Sequence, residues 1–297
     1  REKLQAEYDE LRKFILYCED ILGSYERQME VIKEETMEMK EKYGDARRTA
    51  IVPDEGEFNP EDFYADEDVV ITISHLGYIK RTALSEYRTQ ARGGKGMKGS
   101  ATREEDFIEH IYVANMHSTM LFFTQNGKCY RLKVYEIPEG TRASKGRPVQ
   151  NVISIEPGDI IKTYVNAKSI ESEEYCNSHF VLLATRKGIV KKTALSEYSN
   201  RRSRNKGINA ITVREGDELL DAILTTGDSQ VLLAARNGRC VRFDEEDARP
   251  LGRAASGVRG ISLDEDDEVM SVVCYTPGSG DAASQTALVV SEHGFGK

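Results

Sequence analysis

Residues 75–87 read HLGYIKRTALSEY and residues 186–198 read RKGIVKKTALSEY. The hexapeptide TALSEY stands at one distance behind a glycine in both copies, Gly77 in the first and Gly188 in the second, and chance does not produce that agreement. Around each copy the order is the same: an apolar run, a turn closed by glycine, a second strand-like run, a loop and another glycine. The order recurs at Gly127, Gly238 and Gly294, so the five marker glycines are separated by 50, 61, 50 and 56 residues. The runs ahead of them are VITI (70–73), LFF (121–123), VLLA (181–184), VLLA (231–234) and ALVV (287–290). Asn126-Gly127 and Asn237-Gly238 are the strongest hairpin turns, because both residue types tolerate positive φ.

Register inside the unit is tighter than spacing between units, as loop-length variation in a true repeat requires. A second glycine follows 19 residues after the marker in all four complete units, at Gly96, Gly146, Gly207 and Gly257. Two residues after the marker the side chain is apolar (Ile79, Cys129, Val190, Cys240), which predicts buried strand positions for two of the five cysteines. A unit of this size cannot bury both faces of its small sheet alone. A mainly β, propeller-like array of repeated blades is therefore expected over 69–297, with four complete blades and the start of a fifth. The sequence stops at EHGFGK, three residues past Gly294, and further blades are expected beyond it.

The first segment follows a different period. Leu4, Tyr8, Leu11, Ile15, Cys18, Leu22, Tyr25, Met29, Ile32, Met39 and Tyr43 alternate in steps of four and three, with Thr36 in the one polar slot. Such a heptad seam predicts a long α-helical coiled-coil stalk over 1–48 that needs a partner helix, although on periodicity alone an ordinary core-facing helix fits as well. Gly23-Ser24 predicts a kink or a short break, and Gly44-Asp45 a helix end. Residues 49–68 are expected to be an acidic, solvated linker, since 51–68 hold eight acids and no base.

A net charge of -9 argues at first against a polyanionic partner. Its distribution reverses that impression. Much of the acid sits in the linker and in DEDDE at 264–268, whereas bases recur at fixed offsets from the marker glycines. Four residues on come Arg81, Arg131, Lys192 and Arg242; fifteen on come Arg92, Arg142 and Arg253, with Arg202 and Arg204 flanking Ser203; eighteen on come Lys95, Lys145 and Lys206. Windows 80–99 and 188–207 each hold six bases and one acid, including Lys80 and Lys98 in the first and Lys191 and Arg201 in the second, and Arg147 follows Gly146 directly. Equivalent positions of repeated blades share one place on the rim, so these bases predict a positive band suited to duplex DNA. Flat aromatic residues are few there, which favours contact with the duplex backbone over stacking of single-stranded bases. A solvated face of scattered bases is the plain alternative.

Catalytic chemistry is not legible. Five cysteines and five histidines are scattered without metal-ligand spacing, and neither a Walker lysine motif nor a plausible triad occurs, so no catalytic residue, metal or cofactor is expected in the chain itself. With no run apolar enough for a membrane helix and no signal-peptide core, a cytoplasmic protein is expected.

Gln90-Ala91-Arg92-Gly93-Gly94-Lys95-Gly96, in the first blade, resembles the Q-R-R-G-G-K-G box of the C-terminal domain of DNA gyrase A subunits, differing at Ala91. The flanking HLGYIKRTALSEY and REEDFIEHIYVANMHSTMLFFTQNGKCYRLKVYEIPE look like the same pattern, and ILGSYERQMEVIKEE with KYGDARRT looks like the returning arm of that family's coiled coil. On physical grounds three glycines expose N–H groups while Arg92 and Lys95 add charge, a combination suited to phosphate. The resemblance implies a six-bladed β-pinwheel with strands exchanged between four-stranded blades. It implies duplex DNA wrapped on the rim, with the box giving the wrap its positive sense, in service of ATP-dependent negative supercoiling. It also implies ATP and magnesium for the complete enzyme, and as partners a second A subunit in a homodimer together with the gyrase B subunit. Two alternatives are the corresponding domain of topoisomerase IV and a protein-binding propeller scaffold, the latter predicting an apolar or mixed rim.

Overall fold

A computed structural model of the chain describes residues 1–49, 60–87, 92–94, 100–102, 105–199, 206–276 and 286–297. Two compact units emerge, Arg1–Phe58 and Asn59–Lys297.

In the first unit, helix α1 (Glu2–Gly23) ends at Ser24, and α2 (Tyr25–Tyr43) begins there. Ser24 is extended (φ -134, ψ 120), and its hydroxyl accepts from the Arg27 amide, so the expected break is an N-cap. Asp20 and Arg27 pair across it at 3.5 Å. The expected long coiled coil is not present. Neither helix has a buried residue, and the seam lies open, with Leu4 73 % and Leu22 77 % exposed. A heptad stripe states a demand for a partner, and among the described residues of this unit no helix meets it.

The second unit is built of small antiparallel sheets. β1 (Asp68–Ser74), β2 (Tyr78–Ala83) and β3 (Ile108–Asn115) form the first; β4 (Thr119–Thr124), β5 (Lys128–Lys133) and β7 (Ile161–Ala167) the second. β8 (Phe180–Thr185), β9 (Ile189–Ala194) and β11 (Leu219–Thr225) form the third, and β12 (Gln230–Ala235), β13 (Cys240–Asp244) and β15 (Val269–Tyr275) the fourth. Each of the first three gains a fourth strand from the unit that follows it: β6 (Arg147–Pro148) joins β2, β10 (Ile208–Asn209) joins β5, and β14 (Val258–Arg259) joins β9. The fourth sheet has three strands among the described residues. Exchange of strands between neighbouring blades is the feature that separates a pinwheel from a plain propeller, and repeat spacing alone did not reveal it.

The second glycine explains where the exchange happens. Gly146, Gly207 and Gly257 each stand immediately before an exchanged strand, and each takes a positive φ (82°, 58° and 90°). A Cβ on Gly146 would lie 2.6 Å from the Ile79 carbonyl oxygen, and one on Gly257 would lie 2.6 Å from that of Val190. The incoming strand therefore crosses the preceding blade at a distance only glycine allows. Gly146→Ala is expected to cost about 2–5 kcal/mol, the sum of left-handed strain and overpacking. Urea unfolding checks this, and an unchanged midpoint contradicts the close approach. At the hairpins only glycine is left-handed: Gly127 and Gly238 have φ 80° and 83°, while Asn126 and Asn237 do not share it. The expected strand at 287–290 is reduced to an isolated bridge between Val290 and Gly296.

Period-2 alternation divides each interior strand between two interfaces. In β4, Met120 and Phe122 pack with Val69, Ile71 and Ile73 of the first sheet, while Leu121 and Phe123 pack with Val181 and Leu183 of the third. In β8, Leu182 and Ala184 turn instead to Val231 and Leu233 of the fourth. A continuous apolar run such as TMLFFT is thus a strand buried on both faces.

Part of the expected linker is packed. Glu61 pairs with Lys133 at 2.5 Å and Tyr64 stacks on Tyr135 at 4.5 Å, so Glu61 and Tyr64 lie on the second blade, while Asp66 accepts from the Asn115 side chain of β3 and Phe63 is exposed. Residues 50–59 lie outside the described residues.

Candidate nucleic-acid interface

Strands β3, β7, β11 and β15 are the sheet edges opposite the exchanged strands (in the fourth sheet, opposite β13), and β11 lies beside both β7 and β15. The edge strands therefore gather on the inner side, and β6, β10 and β14 lie at the outer edge of the array. The loops leading into those outer strands carry the bases at offsets fifteen and eighteen.

Exposure divides the expected site residues into two groups. Lys145, Arg147, Lys206 and Arg242 are exposed, as are Arg92, Gly93 and Gly94 from the box, and Arg142 and Arg253 are half-buried. The second group is inward. Lys80 is 1 % exposed, Lys191 0 %, Lys192 4 % and Arg131 6 %, and the Arg81 side chain is 12 % exposed. These five are corrected: they tie one blade to the next and are withdrawn from contact with a ligand outside. Lys80 Nζ donates to the carbonyls of Thr141, Arg142 and Ser144 at 2.9–3.0 Å. Lys191 Nζ donates to those of Ala210 and Arg253, each at 2.6 Å. Arg81 donates to the Ile137 carbonyl and pairs with Glu139; Arg131 donates to the Ser199 carbonyl and pairs with Glu171; Lys192 pairs with Glu245. At offset four, the base reaches across the blade boundary in three of four units. Only Arg242, on a strand with no fourth neighbour among the described residues, stays exposed, and Cys240 beside it is exposed for the same reason. Gln90, Lys95, Gly96, Lys98, Arg201, Arg202 and Arg204 lie outside the described residues.

The outward loops are also held from the rim. The Glu86 carboxylate accepts from the Arg142 backbone N–H at 3.0 Å, and Arg142 Nη1 donates to the Glu86 carbonyl at 3.3 Å. Glu197, at the same place in the second TALSEY, accepts from Arg253 Nε at 3.2 Å. A carboxylate thus holds an arginine of the following blade at both junctions.

Burial lowers the Lys191 ammonium from 10.5 to about 8, helped by Arg253 and opposed by Glu197, and burial likewise lowers Lys80. Because the folded value lies below the unfolded one, the unfolded chain binds more protons between them. Stability contributed at this site therefore rises as pH increases from about 8 towards 10.5. Unfolding free energies of the wild type and Lys191→Met across that window check it: the difference shifts in favour of the wild type as pH rises, and a constant difference contradicts the assignment.

Sequence reasoning missed two sets of residues. Arg259, in β14, and Arg249 are exposed bases near the same edge, and Arg259 could have been found two places past Gly257. On the hairpin side, Asp106, Asp159, Asp217 and Asp267 cap the turns of their own blades by accepting from the amides of Leu76, Asn126, Lys187 and Asn237. Their signal is the acidic run after each third loop, including DEDDE. Glu268 from that run joins Arg186 and Arg236, and Glu218 joins Lys162 and Arg186, so these acids pair with bases of their own side.

The model of the DNA gyrase C-terminal domain, a beta-propeller family, matches this chain four times, over 68–115, 118–163, 179–226 and 229–275. The chain belongs to that family. Each match spans one blade. The DNA gyrase A subunit of Halalkalibacterium halodurans is 46 % identical over 88 % of this chain and 31 % of its own length. That of Mycolicibacterium smegmatis is 41 % identical over 100 % of this chain and 34 % of its own, a match that takes in α1 and α2. The chain spans about a third of the length of these relatives. The crystal structure of the C-terminal domain of DNA topoisomerase IV superposes with a TM-score of 0.59 at 30 % identity, covering 71 % of this chain and 62 % of that one. Among the described residues no group of His, Cys, Asp or Glu could hold a metal ion, and no helix is long and apolar enough to cross a membrane.

Proposed function

We propose that this chain binds duplex DNA along its outer edge and wraps it, as the wrapping part of the A subunit of a type II topoisomerase of the gyrase kind. The observation that carries this is the sorting of charge. Once the inward bases are set aside, Arg142, Lys145, Arg147, Arg253 and Arg259 are exposed or half-buried on the loops and short strands that one blade lends to another, whereas acids of the hairpin side pair with bases of that side. A polyanion is offered this edge. A protein-binding scaffold would need an apolar or mixed rim, and these loops supply bases instead. Topoisomerase IV is the nearer alternative; relatives 41–46 % identical over 88–100 % of the chain are gyrase A subunits, which favours gyrase.

In this reading the chain contributes geometry and no chemistry of its own. Strand cleavage and ATP hydrolysis, with its magnesium, lie outside it, in the gyrase B subunit or elsewhere in the A subunit. A second copy of the A subunit completes the enzyme in the bacterial cytoplasm. Contacts go to phosphates, since a domain acting anywhere on a chromosome gains from sequence-independent binding. The test is a gel shift on linear duplexes of unrelated sequence across a salt series. Equal affinities that fall steeply with salt, by about 0.9 in log–log slope per phosphate contact, support the reading, and salt-insensitive or absent binding rejects it.

A further inference from the structure

Lys80 and Lys191 occupy the same place in the first and third blades, three residues past the marker glycine, and both are inaccessible to solvent or nearly so. Among the described residues, neither has a carboxylate partner at hydrogen-bonding distance. Each ammonium is spent on main-chain carbonyls instead: Lys80 on those of Thr141, Arg142 and Ser144 in the basic outer loop of the following blade, and Lys191 on that of Arg253 in the corresponding loop and on that of Ala210 in its own unit. A buried ammonium costs desolvation that apolar side chains of similar length would avoid, so a place reserved for it twice calls for a reason beyond filling space.

Peptide geometry supplies one. A peptide C=O and the N–H of the next residue point in opposite directions, so drawing a loop's carbonyls inward turns its amides outward. At the first junction the consequence is visible: the Thr141 carbonyl faces Lys80, and the Arg142 N–H faces out, where the Glu86 carboxylate accepts from it at 3.0 Å. An anionic oxygen therefore already sits on the outward side of a loop whose carbonyls are held from beneath. On the reading that the outer edge binds DNA, we infer that Lys80 and Lys191 are positioning residues, which aim the basic loop of the next blade at phosphate without touching it. The first and third blades would then each set the phosphate contact of the blade that follows, and the position of those contacts along the wrap would be fixed at these two junctions. Tyr130 and Val241 hold the corresponding place in the second and fourth blades, so the device belongs to alternate junctions.

The test is a cycle read in salt dependence. Duplex affinity of the full chain is measured across a salt series for wild type, Lys80→Met, the loop variant Arg142→Ala/Lys145→Ala, and all three changes together. Lys191→Met with Arg253→Ala repeats the cycle at the third blade, and Lys80→Gln, which keeps donors without charge, serves if Lys80→Met does not fold. The inference predicts that Lys80→Met lowers the log–log slope by about 0.9 for each phosphate released, as the loop variant does, and that combining them lowers it no further. A folded Lys80→Met with wild-type slope would make the lysine purely structural and overturn the inference. Additive reductions would mean an independent contact and overturn it too, as would failure of every lysine variant to fold. Absence of DNA binding by the wild type is a separate outcome that rejects the functional reading itself.

Discussion

Changing Arg92 and Lys95 to Ala together is expected to abolish the topological shift that the wrapped chain imposes on circular DNA while leaving a gel shift on linear duplex in place. Arg92 is exposed on the first blade beside Gly93, whose φ is 83°, and the outward bases of the later blades remain in the double variant. Simple binding therefore survives on Lys145, Arg147 and their equivalents. Wrapping is different, because smooth bending of a 20–30 base-pair site costs roughly 1–6 kcal/mol, and contacts at the end of the path must offset it. The end contact fails first, and the DNA leaves the outer edge at that end before it leaves altogether. Ligation of nicked circles around each protein, followed by measurement of linking number, reads the first quantity, and mobility of a linear fragment reads the second. An unchanged linking number in the double variant would remove the box from the wrap, and loss of both signals would reduce it to ordinary affinity.

The largest expected effect on stability lies at the junction of the third and fourth blades. Lys192 Nζ and Glu245 Oε1 pair at 3.2 Å, with side chains 5 % and 0 % exposed. Glu245 also accepts from Thr225 Oγ1 at 2.6 Å and from the Ser229 amide at 3.2 Å, so one carboxylate satisfies groups from both blades. Glu245→Ala leaves the ammonium buried with, among the described residues, only the Gly227 carbonyl at 3.4 Å and the Phe180 ring at 4.5 Å. Breaking a buried pair in this way costs about 3–5 kcal/mol. Replacing both partners with apolar residues, Lys192→Met with Glu245→Leu, should recover most of that loss, since no unpaired charge remains. Urea unfolding of the three variants checks both statements; a Glu245→Ala midpoint near wild type would show that the pair contributes little.

Much of the architecture was legible because repetition is visible in sequence. Marker glycines placed the hairpins, and the runs ahead of them fell in β1, β4, β8 and β12. The second glycine was found at the right offset, yet its role was not: the contact of Gly146 with Ile79 forms between units, and a repeat period says nothing about which strand crosses a boundary. The same limit explains the inward bases. Recurrence at a fixed offset establishes that Arg81, Arg131 and Lys192 are equivalent, but equivalence holds for a buried tie as well as for an exposed contact. Positions three and four past the marker are open on an isolated hairpin, and in the fold the segments ahead of the exchanged strand close over Lys80, Arg81, Lys191 and Lys192. The stalk shows the opposite limit, since its heptads state what the helices lack and cannot state what supplies it.

Ligation of nicked circular DNA in the presence of the wild-type chain tests the central claim most directly. A band of outward bases on the exchanged-strand edge predicts a linking-number change that grows with protein until the circles are saturated and disappears as salt is raised. Circles that close with the linking number of free DNA at every protein concentration, although the chain is bound, would contradict it.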